Sequence, residues 1–144
     1  MKIGITSKFS YCLSANGLAQ NIILLYEILE ECGFNPIFVD FSNCEDKQPI
    51  KHRFLDNKNL ISWPLFKESP MHLDALICPG ICCDPVIYEA AKKGNENIKI
   101  ASIHYGNNLM GILSDWFGGK DMSEGKVTAC ENSFKPYDQC WISE

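Results

Sequence analysis

Hydrophobic and polar positions fall along this chain in blocks whose period switches between that of a strand and that of a helix. Lys2 to Ser7 is a short apolar run suited to a buried strand. After the polar stretch Lys8 to Asn16, the segment Gly17 to Cys32 carries Leu18, Ile22, Leu25, Ile28 and Leu29 at three- and four-residue intervals. That spacing is the stripe of a helix lying on a sheet. Gly33 ends it, as a residue free to enter the left-handed region. Asn35-Pro36 then turns the chain into a second strand, Ile37 to Phe41. A β-α-β unit of this kind closes as a right-handed parallel crossover.

The middle of the chain is less regular. Ser42 to Phe54 is polar and has no period, and Asn59 to Phe66 holds a short strand that Pro64 confines to a sheet edge or a strand end. Asp74 to Cys78 reads as a further strand, closed by Pro79-Gly80. Asp84 as cap and Pro85 as first helical residue open a helix that runs through Val86, Ile87, Tyr88, Ala90 and Ala91 to Gly94. Ile98 to Ile103 is another strand, followed by the polar turn His104 to Asn108, a short helix from Leu109 to Phe117 and a glycine-bearing loop. Asp138 to Ser143 is a final short strand. No repeat and no linker divides the chain. The expectation is a single α/β domain over residues 1–144, a Rossmann-like three-layer sandwich with a mostly parallel sheet.

Composition narrows the class. With 144 residues, 46% of them hydrophobic, the chain can bury a real core, which excludes disorder. No apolar run approaches the ~20 residues of a bilayer crossing, and the N-terminus reads as a strand rather than a signal peptide. A cytoplasmic protein with no membrane span is expected. The net charge of −5 and a single arginine, Arg53, argue against a partner rich in phosphates, so no nucleic acid is expected. Eight cysteines suggest either a disulfide framework or a metal. A full-sized core without a secretory signal favours reduced thiols, with Cys32, Cys78, Cys130 and Cys140 in or beside core segments. The tight cluster Cys78 to Cys83 has no second pair to complete a zinc site, so no metal is expected.

Ligands of parallel α/β sheets gather at the carboxyl ends of the strands. That rule selects Lys8 to Asn21, Ser42 to Cys44, Pro79 to Asp84 and His104 to Asn108. In the first, Ser14 or Asn16 caps a helix whose first turn carries Gly17, Gln20 and Asn21; the cap alone explains the pattern as well as a cap plus a ligand. The amides suit sugar hydroxyls, but one glycine makes neither a phosphate loop nor a dinucleotide fingerprint. His104, with Tyr105, Gly106, Asn107 and Asn108, gathers hydrogen-bonding groups at a strand end, where the imidazole can act as a general base. Cys82 or Cys83 sits on a strand-turn-helix corner of the kind that exposes a nucleophile, without the small residue usual two places later; a packed turn is the alternative. Asp40 ends a strand where a ribose is held in dinucleotide-binding folds, while His52 and His72 read as solvent-facing.

Together these residues resemble a known family. The first strand, the Asn16-Gly17-x-x-Gln20-Asn21 segment and Phe38-Val39-Asp40 resemble the N-terminal half of glycosyltransferases with the GT-B fold. More particularly, the chain is similar to a poorly characterised glycosyltransferase-like group with an Asn-Gly-x-x-Gln-Asn motif. His104 to Asn108 matches that group's second motif, and Tyr137 to Ser143 looks like its next strand. The resemblance implies an enzyme that transfers a sugar from a nucleotide-sugar to an acceptor glycan or small molecule. Two Rossmann-like domains would face each other, this one on the acceptor side. It implies no cofactor and no metal, because helix dipoles and basic side chains neutralise the diphosphate. His104 would be catalytic, and Asn16, Gly17, Gln20, Asn21, Gly106, Asn107 and Asn108 would bind substrate. The chain reads as incomplete alone, with a separate or missing C-terminal donor domain. Two other readings stand beside it: a non-catalytic flavodoxin-like binding module, and a small hydrolase with Cys82 or Cys83 as nucleophile.

Overall fold

The computed structural model describes residues 1–9, 17–42, 54–79, 85–104 and 139–142. In chain order the elements are β1 (Lys2–Ser7), α1 (Gly17–Glu31), β2 (Asn35–Asp40), β3 (Leu60–Ser62), α2 (Trp63–Glu68), β4 (Ala75–Pro79), α3 (Pro85–Gly94), β5 (Lys99–His104) and β6 (Gln139–Ile142). The strands form one sheet in the order β3-β2-β1-β4-β5-β6, and every pairing is parallel. This is the Rossmann-like α/β arrangement that the sequence pattern implies. The order turns back at β1, which has β2 on one side and β4 on the other. Without the three-residue β3 it would match the other common doubly wound order.

Helices cover both faces. On one, α1 sets Ala19, Ile22 and Tyr26 against Ile5 of β1 and Phe38 of β2. On the other, Phe66 of α2 and Ile87, Ala90 and Ala91 of α3 pack with Val39, Leu76, Cys78 and Ile100. Opposite faces are required once the chain reverses its direction of travel across the sheet while each crossover stays right-handed. Helix α1 closes in a Schellman motif: Gly33 has φ 81°, its N–H donates to Glu30 O at 2.9 Å, and Phe34 N–H donates to Leu29 O at 3.0 Å.

The short strand expected within Asn59 to Phe66 is β3, and it lies at the sheet edge. Two other expectations need correction, and one element, the helix Trp63 to Glu68, was not expected at all. Pro64 falls in its first turn, where a missing N–H costs nothing, so the proline starts a helix as well as ending β3. The α1 stripe is also shifted, for Ile28 is 47% exposed and Tyr26 is fully buried in its stead. The Tyr26 ring lies 4.6 Å from that of Phe38, and its hydroxyl accepts the Asn59 N–H at 2.9 Å, so the phenol brings its own partner into the core. Cys32 is exposed just beyond α1, whereas Cys78 is buried; both are free thiols. The expected helix at 109–117 and Cys130 lie outside the described residues.

Candidate functional site

All strands of a parallel sheet end at one edge, and the ligand crevice of a doubly wound sheet lies there, where the chain order reverses. Among the described residues the buried polar side chains are Thr6, Ser7, Asp40, Ser62 and Ser102. Each occupies one of the last three positions of its strand, at that edge. Ser7, Asp40 and Ser62 are in register across β1, β2 and β3 and share the α1 side with Ile5. Thr6 and Ser102 project to the other side, Thr6 in register with Val39 and Ser102 with Cys78. Burying polar groups costs free energy unless they find partners, so their concentration at one end of the sheet calls for a reason.

The partners differ. Asp40 Oδ1 accepts the Ser42 N–H at 3.0 Å and the Ser42 hydroxyl at 2.5 Å, a turn that terminates β2 and fixes the carboxylate. Ser7 Oγ donates to Val39 O at 3.4 Å. Thr6 Oγ1 is buried and has no hydrogen-bond partner among the described residues. Such a hydroxyl costs about 1–3 kcal/mol, a deficit a ligand atom can remove. Directly after Asp40 and Ser62 come the half-buried Phe41 and Trp63, whose rings stack at 4.6 Å and 27°.

The residues singled out from sequence are only partly assembled here. Gly17 is the first residue of α1, with open space where a Cβ would stand, and Gln20 and Asn21 are exposed in the turn that follows. His104 is the last residue of β5, in register with Ile142. With β4 between them, the ends of β1 and β5 stand about 10 Å apart, within the span of one ligand. Asn16, Gly106, Asn107, Asn108, Cys82 and Cys83 lie outside the described residues. Sequence reasoning missed Thr6, Ser7, Ser62 and Ser102. Their signal was a small polar residue at the close of an apolar run, which reads locally as nothing more than a strand end.

Two other features lie away from this edge. His72 is exposed and stands 3.4 Å from Asp74 at the opposite end of the sheet. The Lys2 N–H donates to Asp74 Oδ2 at 2.6 Å and holds that carboxyl below the usual carboxylate range, with His72 adding to the effect. A cavity of about 560 Å³ also opens at the amino ends of the strands, lined by Met1, Ile3, Leu29, Phe34, Ala75 and Ala101 among others. Its walls are mostly apolar, and it is remote from the polar edge. Among the described residues no group of three His, Cys, Asp or Glu side chains is placed to hold a metal ion. Nor is any helix among them long and apolar enough to cross a membrane.

Fold and site together define a Rossmann-like domain with a polar carboxyl edge. Compared with known proteins, the chain matches no family model, no curated protein and no solved structure.

Proposed function

We propose that this chain is the acceptor-side domain of a GT-B-type glycosyltransferase, binding a hydroxyl-rich acceptor at the carboxyl edge of its sheet. The observation that carries the reading is that, among the described residues, the buried serine and threonine hydroxyls and the one buried carboxylate are confined to that edge, with Thr6 Oγ1 lacking a partner. Hydroxyl and carboxylate groups are what a glycan or polyol engages, and Gln20 and Asn21 at the start of α1 extend the same chemistry. His104 is the candidate general base. It takes the proton of the attacking acceptor hydroxyl while the bond between sugar carbon and phosphate oxygen breaks, and the nucleoside diphosphate leaves with the electron pair. In this reading the donor is held by a further domain, the setting is cytoplasmic with reduced thiols, and the transfer calls for no metal or cofactor.

Thermal melting against panels of glycosides, nucleotides and nucleotide-sugars tests it. Acceptor-type glycosides are expected to raise the melting temperature, and His104→Ala to retain that shift while abolishing transfer in the presence of a donor domain. The chain alone is expected to transfer weakly or not at all. Ester or amide hydrolysis blocked by iodoacetamide at Cys82 or Cys83 would overturn the reading in favour of the hydrolase. No shift with any of these ligands would leave the non-catalytic module.

A further inference from the structure

We propose that Asp40 selects a cationic acceptor, an amino sugar whose ammonium sits against Asp40 Oδ2 and Ser7 Oγ. This rests on the acceptor-side reading above and narrows its substrate class. Asp40 is 2% exposed and carries the one buried carboxylate among the described residues. Its Oδ1 accepts both the N–H and the hydroxyl of Ser42, and no described residue donates to Oδ2. The ion pairs among the described residues join Lys58 to Glu27 and Glu30, and His72 to Asp74, so none reaches Asp40. Carboxylates at the surface thus have cations, while the buried one has none. A charge kept from water in this way costs free energy until a cation meets it. The turn at Ser42 does not explain the charge, because an asparagine makes the same turn without one.

The neighbouring groups sort the candidate ligands. Ser7 is the register partner of Asp40 on β1, about 4.8 Å away and on the same side of the sheet. Its hydroxyl hydrogen goes to Val39 O at 3.4 Å, so towards a ligand its oxygen can only accept. Asp40 Oδ2 and Ser7 Oγ therefore form a pair of acceptors, with no described donor between them. A sugar hydroxyl brings one donor together with lone pairs that would find no hydrogen there. An ammonium brings three donors, no acceptor and the positive charge that Asp40 lacks. Helix α1 starts on the same side of the sheet, so the remaining hydroxyls of the sugar meet Gln20 and Asn21. The net charge of −5 draws cations towards the molecule as a whole, and the carboxylate at the strand end fixes one in place.

Isothermal titration calorimetry on the full chain at neutral pH tests this. The probes are methyl glycosides in matched sets that differ at one ring substituent, which is an amine, a hydroxyl or an acetamide. An amino glycoside is expected to bind about tenfold tighter than its hydroxyl and acetamide counterparts. Asp40→Asn keeps an oxygen for Ser42 and is expected to bring that ratio close to one. Ser7→Ala removes the second acceptor with the carboxylate in place and is expected to reduce the ratio several-fold, so the test stands even where one variant fails to fold. Hydroxyl glycosides that bind with no amine preferred overturn the proposal and leave the acceptor-side reading intact. An amine preference that survives both variants overturns it equally, since the cation then binds elsewhere on the acidic chain. Binding of no glycoside at all removes the reading and the proposal together.

Discussion

At the scale of single residues, Thr6 gives the sharpest prediction. Its buried hydroxyl lacks a partner among the described residues, so Thr6→Val removes a cost of about 1 kcal/mol or more with almost no change of shape. The variant is expected to melt a few degrees higher than wild type by calorimetry, yet to show a smaller ligand-induced shift. Ser42→Ala does the reverse. It strips the Asp40 carboxylate of a hydroxyl donor and is expected to lower unfolding free energy by about 1 kcal/mol in urea titrations. Asp74 titrates below its unfolded value, so its stabilising contribution is present above about pH 4 and is lost as pH falls through the folded value. The gap in melting temperature between wild type and Asp74→Asn is therefore expected to be open at pH 7 and to close in the acid range below pH 4. None of these roles was legible in the sequence. Asp40 was noticed as a strand-ending acid, but the register that aligns it with Ser7 and Ser62 joins residues far apart in the chain.

At the scale of elements, local pattern succeeded where one segment's own residues decide the outcome. The extent of α1, the Gly33 stop and the helix start at Pro85 are such cases, and each element lies within two residues of its expected place. It found the short edge strand β3 but missed the helix Trp63 to Glu68 behind it, because a single proline serves both a strand end and a helix start. It also passed over Tyr26, because a phenol in a helix looks amphipathic until Asn59 supplies the bond. Tyr26→Phe deletes that acceptor and is expected to cost about 1 kcal/mol by denaturant unfolding. Gly94 is an element-scale constraint of another kind. A Cβ there would strike the backbone carbonyl of Met71, so the end of α3 and the segment leading into β4 could not keep their separation. Gly94→Ala is expected to destabilise by about 1–3 kcal/mol, with the loss visible as a lower urea midpoint.

At the scale of the whole molecule, the alternation of strands and helices made the α/β class and its parallel sheet legible, since parallel strands need crossovers and buried apolar runs. The order of the strands was not legible. Nothing within β4 states that it lies beside β1 rather than β3, and that placement puts the reversal of the sheet, and so the crevice, at Thr6 and Ser7. Ligand chemistry is thus a property of assembled strand ends rather than of any one motif. The most direct test of this account is amide chemical-shift mapping of the isotope-labelled chain during titration with acceptor-type glycosides. Saturable shifts at Thr6, Ser7, Gln20, Asn21, Asp40, Ser62 and His104 are the predicted result. Shifts confined to Met1, Phe34, Ala75 and Ala101 around the amino-end cavity would contradict it.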